Sequence, residues 1–173
     1  MWLKVLGGIL IVAGCGVWGL LEAKKIRRRL EQIKELRLAL NFLEKDITLM
    51  YVPLSEALDN AGDFCDGGIG CFFRRGAASL REKSGITAGE AWRSGLAELK
   101  KHSALREPEL RLLEGVAEQI GISEAGEQRK CLDLVSEQLK IIETRNYENM
   151  ENNQKLWVYG GFVLGAVVVL LLI

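Results

Sequence analysis

The stretch that decides the fold is residues 26–50, which read IRRRLEQIKELRLALNFLEKDITLM. Its apolar residues recur in steps of three and four, which places them along one side of an α-helix. They are Ile26, Leu30, Ile33, Leu36, Leu40, Leu43, Ile47 and Met50. Because no glycine or proline occurs from Leu20 to Val52, the pattern predicts one continuous helix that Pro53 stops.

Two apolar segments lie at the ends of the chain. Residues 2–21 contain 14 hydrophobic residues, five glycines and a single charge, Lys4, while residues 156–173 contain 15 hydrophobic residues, three glycines and no charge. A bilayer is crossed by about 20 apolar residues in a helix. The sequence therefore predicts two transmembrane helices, 2–21 and 156–173, with a charged, water-facing domain at 22–155 between them. The zero formal net charge of the 173 residues hides this partition.

A basic cluster follows the first predicted span: Lys24, Lys25, Arg27, Arg28 and Arg29. Positive flanks stay on the cytoplasmic side, so we expect the middle domain in the cytoplasm and both termini outside. A cleaved signal peptide is disfavoured because no small-residue cleavage site follows the apolar segment. Attraction to anionic lipid headgroups is an alternative role for the cluster. In the second span, Gly161-x-x-x-Gly165 is a small-residue motif typical of helix packing.

The first half of the middle domain shows two further helices. Pro53 suits a first helical turn, so we expect a helix from Pro53 to about Asn60. A glycine-rich loop is predicted from Asp63 to Gly70, and a helix from Cys71 to Ser84 that Gly85 ends. We assign large apolar side chains of this domain to the core: Leu54, Leu58, Trp92 and Leu96.

The second half predicts three more helices. Thr87-x-x-Glu90 is a capping box that opens one, and Glu107-Pro108-Glu109 begins another that Gly121 ends. Ser123 is the expected N-cap of the last helix. Because no alternating strand pattern occurs, the prediction is an all-α bundle of about six helices, the first and last of which extend into the membrane spans.

Residues suited to catalysis are scarce. The single histidine, His102, lies beside two lysines in a polar stretch and is expected to be a solvated loop residue. Cys65 and Cys71 do not have the spacing of a zinc pair, while Cys15 falls in a span and Cys131 on a helix. We therefore predict no catalytic residues, no cofactor and no metal.

Motifs for phosphate or nucleic acid are also absent from the sequence. Gly67-Gly68-Ile69-Gly70 lacks the lysine and the preceding strand of a phosphate-binding loop. The short basic pairs Arg74-Arg75 and Lys100-Lys101 have no interleaved aromatic residues. The expectation is that the chain binds neither nucleic acid nor a small-molecule substrate.

Charge is unevenly distributed along the middle domain. From Glu107 to Glu151 the chain has 11 acidic and five basic residues. An acidic surface can steer a basic partner, or it can keep a surface soluble beside an anionic membrane. Under the first interpretation, the candidate partner-binding residues are Glu114, Glu118 and Glu127.

Several blocks follow one another in a characteristic order between the two predicted membrane spans. They are Pro53-Leu54-Ser55-Glu56-Ala57, then Gly85-x-Thr87-Ala88-x-Glu90-Ala91-Trp92, then Gly121-x-Ser123 with Gln128. The order and spacing of these blocks resemble those of the stage III sporulation protein AB family. The resemblance covers essentially the whole chain. It implies a membrane protein made in the mother cell of endospore-forming bacteria, with a domain similar to the platform protein of type II secretion and type IV pilus systems.

The resemblance also implies partners. They are the other subunits of the complex that connects mother cell and forespore, including a cytoplasmic ATPase, and the membrane lipid. Two alternatives stay open at this point: a platform-like subunit of a secretion or pilus system outside sporulation, and a membrane-tethered, metal-dependent enzyme. The sequence favours a non-enzymatic scaffold over both.

Overall fold

A computed structural model describes residues 2–82, 85–120, 127, 129–147 and 163 of the chain. All regular structure in these residues is helical, which confirms the predicted all-α bundle of six helices. The helices are α1 (Trp2–Thr48), α2 (Leu54–Phe64), α3 (Gly67–Glu82), α4 (Ala88–His102), α5 (Glu107–Gln119) and α6 (129–147).

The chain divides into two compact units. One is Glu31–Glu143, which holds the helical bundle, and the other combines Met1–Leu30 with Thr144–Ile173. The predicted span 2–21 falls within helix α1, whereas the predicted span 156–173, with Gly161 and Gly165, lies outside the described residues. Within the part of the chain that the structure describes, no helix is both long and apolar enough to cross a membrane.

The apolar face of α1 forms one side of the core, as its periodicity predicts. The core includes Ile33, Leu36, Leu40 and Leu43 of this face, and Ile47 packs against it half-buried. Leu30 is also buried but belongs to the other compact unit. Met50 is 72% exposed, so its assignment to this face was wrong. The reason is that α1 ends two residues before Met50.

Helix α1 stops at Thr48, four residues earlier than predicted. Tyr51 has a φ of 53°, a left-handed conformation that turns the chain, and the Val52 N–H donates to the Asp46 carbonyl oxygen at 3.0 Å. A residue before proline is sterically disfavoured from the helical region. Pro53 therefore ends the helix several residues before its own position in the chain.

Pro53 lies at the N-cap of α2 rather than in its first turn. Its carbonyl oxygen accepts hydrogen bonds from the N–H groups of Glu56 and Ala57, both at 2.9 Å. The helix continues to Phe64 instead of ending near Asn60.

The predicted glycine loop from Asp63 to Gly70 is wrong. Helix α3 begins at Gly67, and only two residues separate it from α2. Gly67 has a positive φ of 54° at the start of this helix, and Gly68 and Gly70 allow close packing. A Cβ on Gly68 would lie 2.5 Å from the His102 carbonyl oxygen, and one on Gly70 would overlap the Cys65 carbonyl oxygen.

The caps of the second half agree with the sequence. The Thr87 side chain accepts from the Glu90 N–H at 3.2 Å, and the Glu90 carboxylate accepts from the Thr87 N–H at 2.8 Å. Gly85 has a φ of 97°, as expected for a turn after α3, and α5 begins at Glu107. The remaining predicted end signals, Gly121 and Ser123, lie outside the described residues.

Trp92 is the largest side chain at the centre of the bundle. Its ring packs edge-on against Phe72, with ring centroids 4.8 Å apart, and its Nε1 donates to the Leu113 carbonyl oxygen at 2.8 Å. Leu58 and Leu96 are also buried, which confirms their assignment to the core, whereas Leu54 is half-buried at its edge.

Candidate docking surfaces

The residues considered for chemistry are dispersed. His102 is exposed and is the last residue of α4, not a loop residue, and its Nε2 lies 3.5 Å from a carboxylate oxygen of Glu98. That carboxylate also accepts a hydrogen bond from Lys101 at 2.9 Å, which lowers the pKa of Glu98. In the described ranges, no group of three or more His, Cys, Asp or Glu residues is arranged to hold a metal ion.

The cysteines of the bundle differ in environment. Cys65 is buried, Cys71 is exposed and Cys131 is half-buried. Burial raises the pKa of the Cys65 thiol to about 12, and the carboxylates of Glu35 and Asp66 add to this effect. Because the thiolate is the reactive form, Cys65 is a core residue rather than a nucleophile at neutral pH.

Glu114, Glu118 and Glu127 are all exposed. Glu114 and Glu118 lie one helical turn apart on α5 and are exposed beside its buried face, which includes Leu113 and Ala117. A Cβ added at Gly115, between them, would meet no atom within 4 Å, so this face of α5 is open. Among the described residues none of the three glutamates forms an ion pair.

The basic cluster after the first predicted span is also accessible. Lys24, Lys25, Arg27 and Arg28 are exposed, and Arg29 is half-buried. The Lys25 ammonium lies 2.9 Å from the Glu22 carboxylate, a pair within one helical turn. Exposed pairs of this kind contribute little to stability.

Three polar contacts join α1 to α6, and the sequence did not predict them. The pairs are Arg37–Glu143, Asn41–Ser136 and Glu44–Arg129, with donor and acceptor atoms 2.9, 2.6 and 3.0 Å apart. Residue numbers rise along α1 as they fall along α6, so the two helices are antiparallel. No signal in the sequence could have found these pairs, because their partners are 85 to 106 residues apart.

Fold and surface together define a class: an all-α, six-helix bundle protein with exposed charged side chains on its outer helix faces. The family follows from comparison with known proteins. The chain belongs to the stage III sporulation protein AB family, whose family model matches residues 4–173. The resemblance seen in the sequence is thereby confirmed, and the chain is a sporulation protein.

Two further comparisons are with an individual protein sequence and with a solved structure. Stage III sporulation protein AB of Bacillus subtilis (strain 168) is 28% identical over 170 residues, which are 98% of this chain and 99% of that protein. A solved structure of stage III sporulation protein AB (SpoIIIAB) superposes with a TM-score of 0.67 at 24% identity, over 72% of this chain and 97% of that one. The solved structure shows that the helical fold is shared.

Proposed function

We propose that the chain is a non-enzymatic platform subunit of the sporulation channel complex that links mother cell and forespore. The observation that carries the proposal is membership of the stage III sporulation protein AB family along nearly the whole chain. The family places the protein in sporulation, which disfavours a secretion or pilus system outside it. A platform needs exposed docking faces and no reaction centre, and the bundle has such faces.

The proposal includes a membrane topology. Residues 2–21 and 156–173 are the two spans, the bundle is cytoplasmic, and both termini are outside. Hydropathy and the basic cluster support it, because translocation of five positive charges is unfavourable. Gly161 and Gly165 would pack the second span against another helix.

Topology is tested by fusing alkaline phosphatase after residue 100. We expect an inactive fusion, since this phosphatase folds only outside the cytoplasm, where its disulfides form. A fusion of green fluorescent protein at the same site should fluoresce and serves as the control for expression. An active phosphatase at residue 100 would place the bundle outside the cell and reject the topology.

The docking part of the proposal assigns a cytoplasmic ATPase to the open face of α5. Glu114 and Glu118 present two negative charges on one side of this helix, and Glu127 is an exposed acid further along the chain. Charges at the rim of an interface set association rate and salt dependence. A basic surface on the ATPase is the complementary partner.

Charge reversal of all three glutamates tests the docking. The variant Glu114→Lys, Glu118→Lys, Glu127→Lys should bind the ATPase at least about tenfold more weakly, a change of about 1.4 kcal/mol, and should lower spore yield. Binding of the wild-type chain should weaken as salt rises. Pulldown with the purified ATPase at two salt concentrations measures both effects.

A matched control reverses three exposed acids on α2 and α3: Glu56→Lys, Asp63→Lys and Glu82→Lys. This control changes the net charge by the same amount on other faces and should retain binding. Equal loss in both variants would indicate a general charge effect, and unchanged binding in the first variant would remove α5 as the docking face.

A further inference from the structure

Two helices of the bundle carry exposed apolar residues at heptad spacing. On α1 and its following turn these are Leu38, Phe42 and Leu49, which are 39%, 40% and 62% exposed. On α6 they are Leu134 and Ile141, 59% and 46% exposed. Single exposed apolar residues are ordinary in proteins, but a regular row along one helix face is the pattern of a helix-packing seam.

The row on α1 is well formed. Residues 38, 42, 45 and 49 follow one another in steps of four, three and four, so they share one side of the helix. Leu49 lies just past the end of α1, yet its N–H still donates to the Lys45 carbonyl oxygen at 2.9 Å. Phe64 of α2 stacks on Phe42 with ring centroids 6.1 Å apart and widens the apolar surface. We call Leu38, Phe42, Lys45 and Leu49 the α1 seam.

The row on α6 has the same spacing and the opposite charge. Phe42 and Leu49 are seven residues apart with Lys45 between them, and Leu134 and Ile141 are seven apart with Glu137 between them. Lys45 is exposed and forms no ion pair among the residues that the structure describes. Glu137 is exposed and lies 3.5 Å from Lys140 in a solvent-exposed pair that is easily exchanged. Leu134, Glu137 and Ile141 form the α6 seam.

The two seams cannot meet within one molecule. On α6, Ser136 and Glu143 contact α1 through Asn41 and Arg37. Leu134 and Ile141 are each two residues away from these contacts, a rotation of about 200° at 3.6 residues per turn. The α6 seam therefore faces away from α1, and the two seams are separate surfaces of the same bundle.

We propose that copies of this chain associate head to tail, with the α1 seam of one copy packed on the α6 seam of the next. When two copies are anchored in the same membrane, α1 of one copy and α6 of the next run antiparallel, just as α1 and α6 do within a single bundle. With Phe42 opposite Ile141 and Leu49 opposite Leu134, Lys45 lies about 4.5 Å along the axis from Phe42, and Glu137 about 6 Å from Ile141. The opposite charges therefore fall at nearly the same level.

Pairing of two different surfaces has a consequence for assembly. A contact of this kind is heterologous, so each copy keeps one free seam, and the series continues until a ring closes. The self-association does not depend on docking of an ATPase, because it uses neither α5 nor the three glutamates. Failure of the docking proposal leaves the self-association intact, whereas the antiparallel arrangement of neighbouring copies rests on the proposed membrane topology.

Two variants of the full-length chain in detergent test the pairing by complementation. Phe42→Asp disables the α1 seam and Leu134→Asp disables the α6 seam. Two differently tagged copies of the wild-type chain should co-purify, whereas two copies of either variant should do so at least about tenfold less. A mixture of Phe42→Asp with Leu134→Asp should co-purify again as pairs, since one intact seam of each kind remains.

The outcomes separate the proposal from its rivals. An isologous dimer through the α1 seam predicts that Leu134→Asp still associates with itself, and this result would overturn the head-to-tail arrangement. If both variants still associate with themselves, the association is due to other parts of the chain, such as the membrane segments, and the proposed pairing of the seams is wrong. A wild-type chain that does not associate at all would also overturn the proposal.

Charge exchange tests the position of Lys45. Lys45→Glu and Glu137→Lys should each weaken co-purification, and the chain that carries both changes should recover it, because the pair is restored with reversed sign. A double variant as weak as the worse single variant would overturn the pairing of these two residues. Ala97→Asp, at an exposed site on α4, is the control for added charge. Circular dichroism checks that each variant is folded. If Phe42→Asp is not folded, Leu49→Asp is used in its place to disable the α1 seam.

Discussion

Replacement of Trp92 by alanine is expected to lower the free energy of unfolding by about 3–5 kcal/mol, the range for removal of a large aromatic side chain from a core. Trp92 is buried against Phe72 and Phe73, with ring centroids 4.8 and 6.3 Å away. Its loss leaves a cavity where α3, α4 and α5 meet. Denaturant titration followed by circular dichroism measures the change.

Trp92→Phe separates the two contributions of this residue. Phenylalanine keeps much of the ring packing but removes the Nε1 donor, which lies 2.8 Å from the Leu113 carbonyl oxygen in the native bundle. That oxygen is inside α5 and keeps its helical partner, the Ala117 N–H. The loss of one hydrogen bond costs about 0.5–1.5 kcal/mol, so we expect a smaller loss than for alanine. A Trp92→Ala variant as stable as the wild-type chain would show that this cluster is not the centre of the core.

Gly95→Ala is expected to destabilise the bundle by about 2 kcal/mol, in spite of the better helix propensity of alanine. A Cβ at residue 95 would overlap the Phe72 carbonyl oxygen and lie 3.0 Å from the Phe72 ring. A backbone oxygen in a helix cannot rotate away, so α3 and α4 would have to separate. The midpoint of thermal unfolding should fall accordingly.

Gly115→Ala is the matched control for this substitution. Residue 115 is also a helical glycine, but its added Cβ would meet nothing within 4 Å. We expect a gain of about 0.5–1 kcal/mol, because alanine loses less backbone entropy on folding. Equal effects of the two substitutions would contradict the close approach of α3 and α4 at Gly95.

Local signals were sufficient to predict several elements. The apolar spacing of residues 26–50 predicted α1 and its buried face, since a helical period depends only on which residues are neighbours along the chain. The capping box of Thr87 and Glu90 and the start of α5 at Glu107 were predicted for the same reason. The family resemblance was also carried by local blocks in a fixed order.

The glycines show where local signals were insufficient. Gly67, Gly68 and Gly70 indicated a loop, because glycine lacks a side chain and weakens isolated helices. In the bundle all three lie in the first turn of α3. Gly68 and Gly70 must be small because the His102 and Cys65 carbonyl oxygens approach them, whereas Gly67 has a positive φ of 54°. Whether a glycine is needed for close packing depends on how near another segment of the chain comes, and the spacing of residues along the sequence does not encode that distance.

Of the candidate docking surfaces, the acidic one was predicted from the sequence and the two apolar seams were not. The charge excess after Glu107 identified the three glutamates as candidates, and the structure describes all three as exposed. The exposed seams were not found, because Leu38 and Leu134 resemble core residues when only their hydrophobicity is considered. Which side of each helix is covered depends on its neighbours.

The sequence by itself determined the helical class, the starts of α4 and α5, the buried face of α1 and membership of a sporulation family. Each depends on interactions within a few residues or on the order of short blocks. Only the tertiary structure decided how Arg37, Asn41 and Glu44 pair with α6, where glycines admit a neighbouring backbone, and which apolar residues remain exposed. These properties depend on contacts between residues that are distant in the chain, and such contacts exist only after the helices have packed.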